Sequence, residues 1–422
     1  MEFLMSAHIA KEMGRKARAA SRLLASASPS AKNLFLQNLA RLLMDHRKDI
    51  LDVNAKDVEK ARELGLDGPR VNRLTLTPAI VEDMHKACLE VAEMPDPIGA
   101  MERQWQRPNG LLVGKMRVPL GVICMIYEAR PNVTVDAAIL CLKAGNAVIL
   151  RGGREALNSN RYLASLLQQA LSEAGLPADA AQLVQSTDHA LVTELCHLDE
   201  DIDVIIPRGG EGLVRAVTEQ ATMPVLKHYK GVCHAFVDAS ADLNMALDIV
   251  YNGKVQRPGV CNALECLLVH EEVAPAFLPM VADRLGQAGV EFRACPRALP
   301  LLGATARAQT DSDLGMEFHD LILSVCVVKD LDEALAHIAR YNSNHTDVIV
   351  TNDYAHAQRF IREADASMVG VNVSTRFNDG GQLGLGAEIG ISTSKLHAYG
   401  PMGVLELTTT KFVVLGQGQI RQ

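Results

Sequence analysis

Aromatic residues are scarce in this chain of 422 residues. Phenylalanine, tryptophan and tyrosine together make up 4% of it, and Trp105 is the single tryptophan. Proteins that bind single-stranded nucleic acid stack its bases on aromatic side chains, so the scarcity argues against such a ligand. The formal net charge is −8, and no long basic run occurs. We therefore expect no nucleic-acid partner.

Zinc-binding spacings and long apolar runs are also missing. The nine cysteines contain no Cys-x-x-Cys pair and the chain has no His-Glu-x-x-His motif, so the sequence suggests no metal site. Charged residues such as Glu2 and Lys11 interrupt the N-terminal segment, which is unlike a signal peptide or a membrane span. We expect a cytoplasmic protein that keeps its thiols reduced and does not associate with membranes.

The composition is typical of a globular α/β protein, with 48% hydrophobic and 22% charged residues. Because 422 residues are too many for one core, we expect two or three domains. Residues 1–100 have a helical pattern, in which Ser28 and Pro29 are suited to begin a helix. A polar segment at 103–109 then leads to a predicted strand at 111–119.

Strands and helices alternate from residue 122 onward. The predicted elements are buried strands at 122–127, 147–150, 181–184 and 202–206 and helices at 133–144, 160–174 and 213–220. Parallel strands joined by crossover helices predict an open, doubly wound sheet with ligand sites at the carboxyl ends of its strands.

Two turns at the ends of these strands could hold a nucleotide. Gly209, Gly210 and Gly212 lie between a strand and a helix, where backbone N–H groups can bind phosphate. The spacing is not a full Gly-x-Gly-x-x-Gly, and an ordinary glycine-rich turn explains it at least as well. Arg151 and Arg154 form a basic turn that suits a 2′-phosphate, and two solvated arginines are the alternative.

Cys261 is the candidate nucleophile. It follows Pro258 and Gly259 and precedes a predicted strand that contains Cys266. Pro258 restricts the backbone and Gly259 allows a ligand to approach it closely, so N–H groups near Cys261 could stabilise an oxyanion. This is the arrangement of an acyl-transfer nucleophile. The alternative for any cysteine is a buried structural role, which we expect for Cys266.

A second domain is predicted to begin near residues 223–225. Its predicted elements are strands at 235–237, 264–269, 347–350 and 368–371 and helices at 243–251, 273–289 and 331–340. The loop at 372–393 contains Arg376, which could bind a carboxylate, although an exposed arginine is the default. The last thirty residues alternate in hydrophobicity, and we expect a strand there that extends a neighbouring subunit's sheet.

Four features occur in the order and approximate spacing of the aldehyde dehydrogenase superfamily, which the chain resembles: residues 119–122, residues 144–146, the glycine turn at 203–212 and the Cys261 loop. Further stretches are similar to the γ-glutamyl phosphate reductase family of that superfamily, over essentially the whole chain. They are residues 128–133, 337–347, 374–380 and 384–393.

The resemblance implies an aldehyde-dehydrogenase-like α/β fold in three parts. A Rossmann-type open sheet in residues 1–110 and 120–225 would bind NADP(H). An α/β catalytic domain would occupy residues 226–385. Residues 111–119 with 386–422 would form a small β oligomerisation hairpin, which implies a homodimer or homotetramer.

The implied reaction is the reduction of L-glutamate 5-phosphate by NADPH to L-glutamate 5-semialdehyde and phosphate, the second step of proline biosynthesis. Cys261 would form the thioester. The oxyanion would be held by the Cys261 backbone N–H and the Asn132 amide. Counting residues without gaps from Gly145 and Asn146, however, places Glu128 at the position of that amide. The resemblance also implies functional coupling to glutamate 5-kinase. The alternative function is that of another acylating or semialdehyde dehydrogenase of the superfamily.

Departures from the superfamily pattern add detail. The Glu-Leu-Gly-Gly segment, whose glutamate activates water in aldehyde oxidation, reads His-Tyr-Lys-Gly at 228–231. A reductase has no use for thioester hydrolysis, so the missing carboxylate favours reduction. Arg154 stands where relatives that use NAD carry a glutamate, which favours NADP. The acidic ribose contact would be Glu317 or Asp320.

The family-like C-terminal stretches also provide candidate substrate contacts. They are Arg376, Asp379, His345 and Asn344, of which Arg376 is the foremost candidate for the substrate α-carboxylate. A packed core histidine is the alternative for His345, and a turn carboxylate is the alternative for Asp379.

Overall fold

The chain divides into two units in the computed structural model, which describes residues 2–421 and the side chains of all of these but 2–5, 69, 189 and 305. The first unit runs to residue 227 and also includes 384–390 and the residues from 402 onward. The second unit comprises 228–383 and 391–401. The functions assigned above to the domains stay predictions.

Fourteen α-helices lie within the described residues. They are α1 Glu2–Leu24, α2 Pro29–Asp45, α3 Arg47–Glu63, α4 Gly68–Leu74, α5 Pro78–Glu93, α6 Asn132–Lys143, α7 Leu157–Glu173, α8 His189–Leu195, α9 Glu211–Gln220, α10 Leu243–Val255, α11 Ala274–Gln287, α12 Leu299–Leu302, α13 Leu331–Tyr341 and α14 Tyr354–Glu363. None of these helices has both the length and the apolar character that crossing a membrane requires.

Sixteen strands lie within the same described residues. They are β1 Met101–Gln106, β2 Leu112–Pro119, β3 Val122–Tyr127, β4 Ala147–Arg151, β5 Ala181–Leu183, β6 Val204–Arg208, β7 Cys233–Val237, β8 Leu264–His270, β9 Glu291–Ala294, β10 Ala306–Ala308, β11 Ile322–Val328, β12 Thr346–Val350, β13 Met368–Val371, β14 Ile391–Ser392, β15 Gly400–Pro401 and β16 Thr408–Leu415.

The N-terminal helices of the first unit follow from local sequence signals. Ser28 caps α2 by accepting a hydrogen bond from the Ala31 backbone N–H at 3.2 Å, and Pro29 occupies the first turn, as predicted. Leu36 and Leu39 on the apolar face of this helix are fully buried. The predicted helical scaffold is confirmed in α1 to α5.

A four-stranded parallel sheet in the order β5-β4-β3-β6 forms the core of the first unit. Every residue of β3 is buried, because this strand has neighbours on both sides. The chain proceeds from β3 outward to β4 and β5 and then returns to β6 on the other side of β3. The carboxyl ends of β3 and β6 therefore form a topological switch point, where open α/β sheets bind ligands.

A three-stranded antiparallel sheet in the order β1-β2-β16 completes the first unit. No strand was predicted in the polar segment 103–109, but β1 overlaps it and pairs with β2, with mostly exposed side chains. The C-terminal strand was expected to extend a neighbour's sheet, but β16 pairs with β2 of its own chain from Thr408 to Leu415. The predicted oligomer stays a prediction.

The second unit contains a seven-stranded parallel sheet in the order β10-β9-β11-β8-β7-β12-β13. Apolar residues of α10 and α11 pack on one face of this sheet, and those of α13 and α14 pack on the other. All seven residues of the central strand β8 are buried. Two parallel sheets with helices on their faces confirm the predicted α/β fold class.

Candidate active site

Cys261 lies in the turn between α10 and β8, which we call the cysteine turn and define as residues 256–263. Its side chain is partly exposed, whereas Cys266, five residues further along, is buried within β8. Seven of the nine cysteines are buried, and Cys295 is the other partly exposed one. Cys261 therefore lies in a turn just before a strand, and a partly exposed thiol there can meet a small electrophile.

Gly231 packs directly against the backbone of the cysteine turn. A Cβ atom at this position would lie 2.7 Å from the Cys261 Cα and carbonyl carbon, and closer still to the carbonyl oxygen. Only glycine fits such a contact. The segment 228–231, which carries no carboxylate, is therefore a neighbour of Cys261 in space. It supplies no general base of the kind that activates water against a thioester.

The buried thiol of Cys233 contacts the cysteine turn, and His345 contacts that thiol. The Cys233 thiol donates a hydrogen bond to the Cys261 carbonyl oxygen at 3.2 Å. Burial raises the pKa of Cys233 well above its ordinary value, so this thiol stays protonated and able to donate. The His345 Nδ1 lies 3.7 Å from the Cys233 sulfur and 2.8 Å from the Thr346 hydroxyl. His345 is fully buried, and its predicted contact with substrate stays a prediction.

Asn262, in the cysteine turn, forms hydrogen bonds with the loop that carries Arg376. Its side-chain amide donates to the Asn378 carbonyl oxygen at 2.9 Å and to the Arg376 carbonyl oxygen at 3.4 Å. The Arg376 Nε in turn donates to the Gln256 Oε1 at 3.0 Å, at the start of the same turn. Burial lowers the pKa of Arg376. The structure therefore brings Arg376 to the turn that holds Cys261.

The side chains of Asp379 and Asn344 form hydrogen bonds with backbone groups of the protein. The Asp379 Oδ1 accepts hydrogen bonds from the backbone N–H groups of Gly381 at 3.0 Å and Gln382 at 3.2 Å, as a turn carboxylate does. Asn344 has a φ angle of +59°, and its side chain donates to the Asp365 carbonyl oxygen at 2.7 Å. Their roles toward substrate stay predictions.

A buried ion pair joins the two flanks of the cysteine turn. Lys254 precedes the turn and Glu265 follows it, with 2.7 Å between Nζ and Oε2 and both side chains fully buried. Burial raises the pKa of Glu265 to about 7. The other oxygen of Glu265 accepts the backbone N–H of His319 at 3.4 Å. Removing one member of such a pair leaves an uncompensated buried charge, so we infer that the pair holds the turn in place.

Glu317 and Asp320 were equal candidates for a ribose contact in sequence, and their surroundings differ. One oxygen of Glu317 lies 3.3 Å from the His319 Nε2. Its other oxygen is buried and has no hydrogen-bond partner among the described residues. Asp320 is exposed and accepts the backbone N–H of Leu321 at 2.7 Å. Glu317 is the better candidate, because its second oxygen is buried without a partner, whereas solvent can satisfy the exposed carboxylate of Asp320.

The glycine turn at the carboxyl end of β6 leaves backbone accessible. Cβ atoms added at Gly210 or Gly212 would meet nothing within 4 Å, whereas one at Gly209 would lie 2.6 Å from the Glu128 carboxyl carbon. Glu128 Oε2 accepts the Gly210 backbone N–H at 3.2 Å. An ionised carboxylate accepts hydrogen bonds only, so Glu128 is poorly suited to the oxyanion role that the ungapped count assigned to it.

Arg151 and Arg154 differ in their exposure. Arg151 ends β4 with only 9% of its side chain exposed, and its Nη1 donates to the Gly152 carbonyl oxygen at 3.3 Å. Its Nε is buried without a hydrogen-bond partner among the described residues, and burial lowers the pKa of this guanidinium. Arg154 is exposed in a short 3₁₀ turn. Of these two arginines, only Arg154 is therefore exposed to solvent, and Arg151 is not.

Asn132, the candidate oxyanion donor, is the first residue of α6. Its side-chain amide donates to the Asp136 Oδ2 at 2.9 Å, which uses one of its two N–H bonds. Burial raises the pKa of Asp136 to about 6, although the Asn132 hydrogen bond opposes this shift. The second N–H of Asn132 could serve an oxyanion, and that role stays a prediction.

The raised pKa of Asp136 leads to a test by pH. A carboxyl group whose pKa is higher in the folded than in the unfolded state favours folding below its unfolded pKa, and this contribution is lost as pH rises through about 6. In thermal unfolding scans at a series of pH values, we expect the melting temperature of Asp136→Asn to rise relative to that of the wild type between about pH 4 and pH 7, because the variant lacks the group whose stabilising contribution is lost over that range. An unchanged pH dependence would contradict the assignment.

The fold and the cysteine turn agree with a known class of enzymes. The model of the aldehyde dehydrogenase family matches residues 4–294 of this chain. The match spans the parallel sheet of the first unit and extends through Cys261 and β8 in the second. These features define a member of the aldehyde dehydrogenase superfamily.

Comparison with individual proteins identifies the family within this superfamily. The γ-glutamyl phosphate reductase of Nitratidesulfovibrio vulgaris strain Hildenborough is 68% identical over 412 residues, which cover 98% of each chain. That of Meiothermus ruber is 56% identical over 411 residues, with 97% of this chain and 98% of the relative covered. The crystal structure of γ-glutamyl phosphate reductase from Thermotoga maritima has a TM-score of 0.95 at 46% identity and covers 98% of this chain and 100% of its own. The chain belongs to the γ-glutamyl phosphate reductase family.

Proposed function

We propose that this chain catalyses the NADPH-dependent reduction of L-glutamate 5-phosphate to L-glutamate 5-semialdehyde and phosphate, the second step of proline biosynthesis. The proposal rests on family membership and on one structural observation. Cys261 is a partly exposed thiol whose neighbouring segment 228–231 lacks the carboxylate that hydrolysis of a thioester requires.

Cys261 acts as the nucleophile. Its thiolate forms a bond from sulfur to the acyl carbon of the substrate, the bond from that carbon to the phosphate oxygen breaks, and phosphate leaves with the electron pair. The Cys261 backbone N–H and the Asn132 amide stabilise the oxyanion of the tetrahedral intermediate. The product of this step is a thioester on Cys261.

The second half of the reaction converts the thioester to the aldehyde. A bound nicotinamide cofactor would supply the hydride that reduces the thioester carbon. The Cys261 backbone N–H and the Asn132 amide would hold the thiohemiacetal oxyanion, whose electron pair re-forms the carbonyl as the carbon–sulfur bond breaks and the thiolate of Cys261 leaves. Because segment 228–231 offers no carboxylate to activate water, the thioester persists until it is reduced.

Residues of the first unit fit a dinucleotide with a 2′-phosphate. The glycine turn places the N-terminus of α9 at the switch point of the sheet, and Gly210 and Gly212 leave space above the backbone. Arg151 has a buried Nε free to donate, and Arg154 is an exposed cation beside it in sequence. In the second unit, Glu317 has an acceptor oxygen for a ribose hydroxyl. Superfamily membership implies a nicotinamide cofactor, and these residues favour NADP.

Reversing the charge at Arg154 tests the cofactor proposal. We expect Arg154→Glu to lower the ratio of kcat/KM for NADPH to that for NADH by roughly tenfold or more, because a charge-assisted hydrogen bond to the 2′-phosphate is replaced by repulsion. Steady-state kinetics with both cofactors measure this ratio. Arg161→Glu makes the same charge change further along on α7 and should leave the ratio unaltered. Equal ratios in the two variants would contradict the role of Arg154.

Arg376 is proposed to bind the α-carboxylate of the substrate. We expect Arg376→Lys to raise KM for the amino-acid substrate by roughly 10- to 100-fold with a smaller effect on kcat, because lysine keeps the charge but loses the bidentate geometry. Arg307→Lys, on the exposed strand β10 of the same unit, is the matched control. If Arg376→Lys retains the wild-type KM, Arg376 does not bind the α-carboxylate of the substrate.

The reverse reaction tests the proposed function directly. Glutamate 5-semialdehyde and NADP⁺ are supplied with phosphate, with arsenate, with coenzyme A or with none of these acceptors, and NADPH formation is followed by absorbance. We expect turnover to require phosphate or arsenate, since these anions attack the thioester carbon in place of water. Turnover that depends on coenzyme A would indicate a CoA-acylating dehydrogenase instead.

Several expectations about the setting of the enzyme accompany this proposal. They are a cytoplasmic location, a homodimer or homotetramer built through residues 111–119 and 386–422, which include β2 and β16, and functional coupling to glutamate 5-kinase. Phe412 and Val414 of β16 are more than half exposed, which is consistent with an interface on that sheet.

A further inference from the structure

Three side chains with metal-ligating atoms converge inside the second unit, apart from the cysteine turn. They are His234 on β7, Cys266 on β8 and His337 on α13, and one ligand atom from each lies within 4.8 Å of the other two. The Cys266 sulfur is 3.6 Å from the His337 Nε2. None of the three has a role in the proposed reaction.

His234 points to a ligand independently of this clustering. Its Nδ1 lies 3.1 Å from the Asp347 Oδ1, and both side chains are fully buried. Its Nε2 is buried too and has no hydrogen-bond partner among the described residues. An unsatisfied buried nitrogen costs free energy, and a ligand at Nε2 would remove that cost.

The arrangement matches the chemistry of zinc coordination. Zinc binds neutral imidazole nitrogens and thiolate sulfur, and zinc-bound histidines commonly donate their other ring N–H to a carboxylate. Asp347 is placed to accept that hydrogen bond from His234.

We propose that His234, Cys266 and His337 form a zinc site, with Asp347 orienting the His234 ring. Binding replaces the Cys266 thiol proton with the metal ion, and the proton leaves to solvent. Because the three ligands are buried or half-buried, the site is structural and joins β7 and β8 to α13.

Sequence motifs did not reveal this site, because its ligands come from three separate elements. The spacing between Cys266 and the two histidines is 32 residues on one side and 71 on the other. Only the pairing of β7 with β8 and the packing of α13 on that face of the sheet bring the ligands together.

Metal binding to the full-length chain tests the proposal. The Cys261→Ala variant serves as the parent, because the accessible thiolate of Cys261 would itself bind zinc. After treatment with a chelator and dialysis, zinc is titrated in competition with a chromogenic chelator. Cobalt(II) is added in parallel, because a thiolate ligand gives a sulfur-to-cobalt charge-transfer absorption. We expect one ion per chain and a charge-transfer band.

Substitutions identify the ligands. Cys266→Ala should abolish the charge-transfer band, and His337→Gln should weaken zinc binding by roughly 100-fold or more, since it removes a ligand rather than an outer partner. Asp347→Asn should weaken binding by roughly 10- to 100-fold while the band remains. Cys88→Ala, which removes a buried thiol from the first unit, is the matched control and should bind as the parent does.

Thermal unfolding provides a second readout that does not depend on the histidine variants folding. Zinc should raise the melting temperature of the parent and of Cys88→Ala, but not that of Cys266→Ala. Absence of stoichiometric zinc in the parent would overturn the proposal. A cobalt band that survives Cys266→Ala would overturn it as well.

Discussion

Replacing Cys261 with alanine is expected to lower kcat by on the order of 10⁴-fold or more, because the thioester cannot form without the sulfur nucleophile. Binding of cofactor and substrate does not require the sulfur, so their dissociation constants should change little. Rapid-mixing or steady-state assays in the reductive direction give the rate, and equilibrium titration with NADPH gives the affinity.

Cys295→Ala provides the matched control, since Cys295 is the other partly exposed cysteine and lies outside the cysteine turn. It should retain wild-type turnover. Iodoacetamide at neutral pH should label Cys261 faster than Cys295, because a nucleophilic thiolate reacts faster than a protonated thiol. Full activity in Cys261→Ala would rule out a mechanism through a thioester on Cys261.

Adding a methyl group at Gly231 should be the second most damaging change. The new Cβ would lie 2.7 Å from the Cys261 Cα, and since the contact is with backbone, no side-chain rotation relieves it. The cysteine turn must shift. We expect Gly231→Ala to lower kcat/KM by roughly 100-fold, the effect of a displacement of about 1 Å in a reacting group, and to destabilise the fold by about 1–3 kcal/mol.

Gly68→Ala adds the same methyl group where nothing lies within 4 Å, and it should behave as the wild type in both activity and stability. Enzyme kinetics together with denaturant unfolding separate the two effects at Gly231. If Gly231→Ala retains wild-type kcat/KM, the packing of segment 228–231 against Cys261 does not govern the geometry of the nucleophile.

The parts of the site that are local in sequence could be predicted. A cysteine after Pro258 and Gly259 and before a buried strand is visible in the sequence, and the structure places Cys261 in that turn. The glycine turn after β6 and the basic turn after β4 were found for the same reason, since strand-to-helix connections are short. Hydrophobic periodicity located most of the helices and the buried parallel strands.

The parts that depend on distant segments could not be predicted. Asn262 binds the loop at 376–378 across more than a hundred residues. The strand β1 was missed because its exposed position allows polar residues, which remove the hydrophobic alternation. These contacts are set by the pairing of elements, which a single sequence does not reveal.

The accumulation of an acyl group on Cys261 is the most direct test of the mechanism. The full-length chain is mixed with glutamate 5-semialdehyde and NADP⁺ in the absence of phosphate and analysed by mass spectrometry after proteolysis. A thioester should accumulate on the peptide that contains Cys261, because no acceptor anion is present and segment 228–231 supplies no carboxylate to activate water. An enzyme that forms NADPH under phosphate but leaves Cys261 unmodified in this experiment would contradict the account.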